Sequence, residues 1–135
     1  MGSYTTLRDY LHASDKPFSW EDHNCLSFTS GALRSQGKEP LPEDWQPQVH
    51  TPREALLYYS KWGKNHEGRG IVEELDEVYP RVLTLSPKDG FIVARESGDI
   101  MGHSVGVTYQ GRCIFVGERG LIVDTPKVTD KFWET

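Results

Sequence analysis

The hydrophobic period of this chain changes near Gly90, and that change limits the folds open to it more than any other feature. Before Gly90 the apolar residues recur every three or four positions, as amphipathic helices require. After it they fall in short β-branched runs: Gly90 to Arg95, His103 to Tyr109, Arg112 to Val116 and Gly120 to Val123, separated by Gly, Ser, Asp and Pro. Such runs read as antiparallel strands. Tyr109-Gln110-Gly111-Arg112 reads as a hairpin turn and Glu118-Arg119-Gly120 as another, so the later strands form a meander. Helices first and strands second predict an α+β domain.

Local start and stop signals place the helices. Thr6-x-x-Asp9 resembles a capping box ahead of an apolar stripe of Leu7, Tyr10 and Leu11, so a first helix runs to about His12. Asn24 heads a second, which has no breaker before Gly31 and meets a fitting stop at Gly37. The three prolines between Lys38 and His50 rule out long regular structure there. That loop also carries Leu41, Trp45 and Val49, so it is expected to pack on the domain or on a partner, anchored by Trp45. Thr51-Pro52-Arg53-Glu54 offers an N-cap, a proline at the first helical position and a returning glutamate. A helix should follow to about Trp62 and end at Gly63. A further helix from about Gly70 to Tyr79 puts Ile71, Val72, Leu75, Val78 and Tyr79 on one face before Pro80 stops it.

A chain of 135 residues without internal repeats or a linker is expected to form a single domain, residues 1–135. Fifteen basic against twenty acidic residues give a net charge of −5, with no basic stripe to supply phosphate contacts, so nucleic acid is not an expected partner. No apolar run reaches the ~20 residues of a membrane-spanning segment. Two cysteines, Cys25 and Cys113, are too few for a disulfide framework and lack zinc-site spacing, so free thiols and no metal or other cofactor are expected. Cys113 shares strand parity with Phe115 and should be core.

The chemistry-bearing stretch is Pro17 to Leu33. Phe18 and Trp20 lead into His23-Asn24-Cys25, and Asn24 as N-cap makes Cys25 the first residue inside a buried helix. The uncancelled backbone dipoles at that end favour a thiolate. Free cysteine is also among the most buried residue types, so residue type alone leaves a core role open.

Phe18-x-Trp20, the His23-Asn24-Cys25 triplet, Asp89 at a strand start, Val105-Gly106-Val107, Gly120-Leu121 and Trp133 follow one another in an order that resembles the NlpC-like branch of the papain-type cysteine hydrolases. Within it, the chain is most similar to short phage and prophage proteins. The resemblance implies a papain-like fold in which a Cys-bearing helix packs on an antiparallel sheet, and a nucleophile at Cys25. It also implies a place in the virion as a phage tail-tip component made in the host cytoplasm. Other phage tail proteins would be its partners, and a peptidoglycan peptide or related amide its substrate.

The chain departs from that pattern. Glu21 stands where the family has Gly after the Trp, and Lys88 precedes Asp89 in place of Gly. In active members a His directly before the Val-Gly pair serves as base, and here Ser104 holds that place. His103 lies one residue earlier, an offset that normally turns a strand side chain to the other face unless a bulge near Gly102 restores the aim. The positions matching the third, orienting residue are the apolar Ile114 to Val116. His23 is the alternative base. His12, His50 and His66 carry no linking motif and are expected on the surface. Two readings follow: a cysteine hydrolase with Cys25 as nucleophile and His103 or His23 as base, and a catalytically inactive assembly module of the tail.

Overall fold

A computed structural model of the chain describes residues 6–46, 50–98 and 101–135. Helix α1 (Leu7–Ala13) starts where its cap does, with Thr6 Oγ1 accepting from the Asp9 N–H at 3.1 Å. Helix α2 (Cys25–Ser35) follows Asn24, and Gly37, at φ 73°, turns the chain out of it in the left-handed region that suits glycine. The proline-rich loop after it holds a single 3₁₀ turn, Glu43–Trp45, and buries both Leu41 and Trp45. Val49 lies outside the described residues.

Helix α3 (Pro52–Ser60) is capped by Thr51, whose Oγ1 accepts from the Glu54 N–H at 3.2 Å. It stops short of Trp62. The chain breaks at Lys61 and resumes as the short α4 (Trp62–Asn65), so Gly63 lies within a helical turn instead of ending one. After the break the Trp62 indole is buried, stacking on Tyr59 and, at a 3.8 Å centroid separation, on His66. Helix α5 (Ile71–Val78) begins after Gly70, whose N–H donates to Glu73 Oε1 at 3.1 Å. Ile71 and Leu75 are buried and Val72 and Tyr79 partly so, but Val78 is 46% exposed and does not belong to the packed face.

The strands are β1 (Arg81–Val82), β2 (Ile92–Glu96), β3 (His103–Tyr109), β4 (Arg112–Val116), β5 (Leu121–Asp124) and β6 (Lys131–Trp133). They form one six-stranded antiparallel sheet in the order β1-β6-β2-β3-β4-β5. β3 to β5 are the expected meander and β2 extends it by one strand; the β3–β4 hairpin turns on Gln110 (φ 50°) and Gly111 (φ 75°), the left-handed pair a tight two-residue turn needs. β1 and β6 are too short to show alternation in the sequence, and β6 enters between β1 and β2.

Helix α2 packs on β3 and β4, and the residues beneath it divide the core. Toward its start, Cys25 and Leu26 join Ala94, Val105, Trp133, Tyr59 and Trp62; toward α1, Phe28 and Ala32 meet Leu7, Leu11, Val107 and Ile114. Cys113, Phe115, Val93 and Phe132 pack together on the opposite face of the sheet. An α+β domain with a Cys-bearing helix on an antiparallel sheet is therefore the architecture.

Candidate functional site

The cap beneath Cys25 is complete. Asn24 has extended backbone, and its Oδ1 accepts from the N–H groups of Leu26 (2.9 Å) and Ser27 (3.0 Å), while Ser27 Oγ accepts from the Asn24 N–H at 2.9 Å. Asn24 Nδ2 donates to the Trp20 carbonyl at 3.0 Å. One amide side chain thus fixes both the helix start and the aromatic approach. An aspartate would keep the acceptor and lose the donor.

The approach is a closed loop. Ser19 and His23 exchange both backbone hydrogen bonds, at 3.0 and 2.9 Å, and Phe18 sits edge-on to Trp20. Trp20 in turn lies on Tyr59, with 5.4 Å between centroids. Cys25 is 6% exposed behind this wall. The Tyr59 phenol, which donates to the Trp45 carbonyl at 3.2 Å, has its pKa raised, first by burial and then by the neighbouring Cys25, while the Asn24 side chain opposes the shift.

His23 turns away from this wall. Its Nε2 lies 2.9 Å from the Ser14 carbonyl oxygen, which only accepts, so Nε2 carries the proton; the ring stands edge-on to Phe28. Burial lowers its pKa and Lys16 adds to that, against the Ser14 carbonyl and Asp22. His23 ties the approach loop to the end of α1, on the Phe28 side of α2, whereas Cys25 belongs to the other packed cluster.

His103 has the aim that its offset from the family position argued against. The β2–β3 ladder runs unbroken from Ile92↔Val107 to Glu96↔His103, so His103 shares a face with Val105 and Val107. Val105 packs in the Cys25 cluster. The helix-facing set is therefore the odd-numbered one, His103 faces the Cys25 side with no bulge in the strand, and Ser104 points to the opposite face. Gly102 (φ 77°) turns the chain just before the strand.

Two charged residues share this rim. Glu96 is the direct cross-strand partner of His103, and Lys131 pairs with Ala94 on the same face. Burial lowers the His103 pKa, Lys131 lowers it further and Glu96 opposes them. The imidazole is thereby biased toward its neutral, proton-accepting form. Glu96, on β2, is exposed, and its carboxylate acts on His103 through its charge alone; on β4, Ile114 and Phe115 are buried and apolar. Counting the β2–β3 hairpin into register would have found Glu96 in the sequence.

The other histidines divide. His12 and His50 are exposed, as expected, but His66 is buried. Its Nε2 lies 2.9 Å from the Tyr58 hydroxyl and its Nδ1 3.4 Å from Glu74 Oε1, while Tyr58 donates to the Asp44 carbonyl and Arg69 Nε donates to Glu74 at 3.2 Å. The Trp62–His66 spacing of four, which stacks the rings along a helical turn, was the available signal for this burial. Among the described residues, no group of three His, Cys, Asp or Glu side chains is placed to hold a metal ion, and no helix is long and apolar enough to cross a membrane.

No curated protein and no solved structure matches the chain. The family model for the domain of unknown function DUF6950 matches residues 3–135, spanning the cap, the cysteine helix and the whole sheet, and the chain therefore belongs to the DUF6950 family.

Proposed function

We propose that this protein is a phage tail component of the virion with an NlpC-like cysteine-hydrolase fold, whose chemistry is cleavage of a peptide or amide bond such as those of peptidoglycan stem peptides. The observation that supports the chemistry is the register of the unbroken β2–β3 ladder, which gives His103 the parity of Val105, a residue packed with Cys25 at the start of a capped helix. In that reaction His103 takes the Cys25 proton, and the thiolate attacks the amide carbon. The oxyanion is met by the N–H of Cys25, since those of Leu26 and Ser27 are committed to Asn24. His103 then returns the proton to the leaving amine, water hydrolyses the thioester, and the Glu96 charge favours the imidazolium. The place in a tail rests on the resemblance of the Phe18-x-Trp20, His23-Asn24-Cys25 and Val105-Gly106-Val107 motifs to phage proteins of that branch.

A second reading, an assembly module that keeps the fold without the chemistry, is favoured by one observation: Cys25 is only 6% exposed behind Trp20 and Tyr59. Iodoacetamide alkylation against pH separates the two. Cys113 is an internal silent control, because burial and the adjacent Asp130 push its thiol up to about 11. For a paired Cys25 the rate rises well below the ordinary thiol pKa of ~8.5, and His103→Ala moves that rise upward while His23→Ala leaves it in place. If neither substitution moves the profile, no Cys–His pair operates and the assembly reading replaces the hydrolase.

A further inference from the structure

On the far side of α2 from Cys25, a groove of about 650 Å³ separates α1 from β4 and β5. Its floor is apolar, formed by Leu11, Ile114 and Val123, and one margin is the outer edge of β5. Val123 is 55% exposed. The register Ile114↔Val123 and Val116↔Leu121, with Gly117 N–H donating to the Gly120 carbonyl, makes Leu121 and Val123 the residues whose backbone groups point away from β4. The Leu121 N–H is taken by Asp15 Oδ1 at 2.9 Å. Val123 therefore offers an N–H and a carbonyl oxygen to an added strand.

The charges around the groove oppose those of the whole molecule. Arg8 and Arg112 line it together with His12, and neither arginine has an ion-pair partner among the described residues. Among the described residues lining the groove, Asp15 is the one carboxylate, and it accepts from the Leu121 N–H. A chain of net charge −5 thus presents, beside an open strand edge, two guanidinium groups with no ion-pair partner among the described residues.

From this juxtaposition we infer that the groove receives an extended segment of a partner protein, which adds to the edge of β5 and sets acidic side chains against Arg8 and Arg112. Such strand addition takes its affinity from main-chain hydrogen bonds and its selectivity from alternate side chains. Here the partner's groove-facing side chains are apolar at the centre and acidic on either side of it, where Arg8 and Arg112 lie in the same lining. The surface is separate from the Cys25 rim and does not depend on its chemistry.

The test is titration of the full-length isotope-labelled protein with two blocked pentapeptides, Glu-Thr-Val-Thr-Glu and Lys-Thr-Val-Thr-Lys, whose first, third and fifth side chains share the groove-facing side, followed by backbone amide NMR. The glutamate peptide is expected to shift the amides of β5 and the start of α1, and the lysine peptide to leave them in place. Arg8→Gln and Arg112→Gln should each weaken binding by roughly 2- to 5-fold, the range for exposed charge pairs. Val123→Pro, which removes the outward N–H without touching the ladder to β4, should weaken it further. Should that variant not fold, the glutamine pair carries the test. The inference is overturned if the peptides bind alike or not at all, or if the shifts lie elsewhere. Concentration-dependent shifts of β5 without peptide would overturn it too, by showing that a second copy of the chain occupies the edge.

Discussion

Replacing Asn24 with alanine isolates the device on which the site is built. The substitution removes the acceptor for two helix N–H groups, one of them on the fully buried Leu26, and the donor to the Trp20 carbonyl. Loss of an N-cap costs about 1–2 kcal/mol, and the Trp20 hydrogen bond adds about 1 kcal/mol. A total of ~2–3 kcal/mol is expected, which for a chain of this length corresponds to a fall of roughly 10 °C in Tm. Urea unfolding followed by tryptophan fluorescence measures it directly. Asn24→Asp separates the two contributions, because the carboxylate keeps the acceptor and suits the positive helix end, so its cost should stay within about 1 kcal/mol. The same anion beside Cys25 should make the thiol harder to ionise. A cost for Asn24→Ala below ~0.5 kcal/mol, or equal costs for the two variants, would refute the argument that the cap holds the site.

Arg95 donates to Asp130 through Nε and a terminal nitrogen (2.8 and 2.7 Å) and to Asp124 (2.8 Å), and the Asp130 side chain is wholly buried. Arg95→Ala should therefore cost about 3–5 kcal/mol, with Arg95→Lys a poor rescue because it cannot form the fork. Burial acts to raise the Asp130 pKa, but the Arg95 hydrogen bonds outweigh it, so the folded value lies below the unfolded one. Its contribution is present above about pH 4 and is lost as pH falls through the folded value, and acid titration of the wild type and Arg95→Ala should diverge only above that window. For His23 and His103 the folded pKa is also lowered, in both chiefly by burial. The unfolded chain then takes up these protons first, so stability should fall as pH drops below about 6.5, and His23→Ala should flatten part of that slope in chemical denaturation at stepped pH.

What could be read from the sequence was whatever is decided within a few residues. Thr6, Asn24 and Thr51 each cap a helix from one turn away, and the Gln110-Gly111 turn declares its hairpin by itself. The end of α3 was misplaced because the break at Lys61 answers to packing: the buried, stacked Trp62 and His66 lie beyond it, and a glycine two residues on has no part in that. β1 and β6 went unseen because two- and three-residue strands have no period, and their pairing joins residues about fifty positions apart. The face of His103 and the carboxylate opposite it both follow from the β2–β3 register, which pairs His103 with a residue only seven positions away but which counting from a family motif does not supply.

The position of β6 also sets a timetable. It lies between β1 and β2, and its Trp133, whose Nε1 donates to Asp76 at 2.9 Å, is fully buried in the same cluster as Cys25. Helix α2 and the meander can form from near neighbours, but the wall behind the cysteine waits for contacts of long sequence separation, which are the slow ones. During refolding, an early species with α2 formed and β6 undocked would leave Trp133 and the β2–β6 ladder open to solvent. That ladder is thus a clock for the last strand: the time at which its amides become protected from a pulse of hydrogen exchange marks the docking of β6.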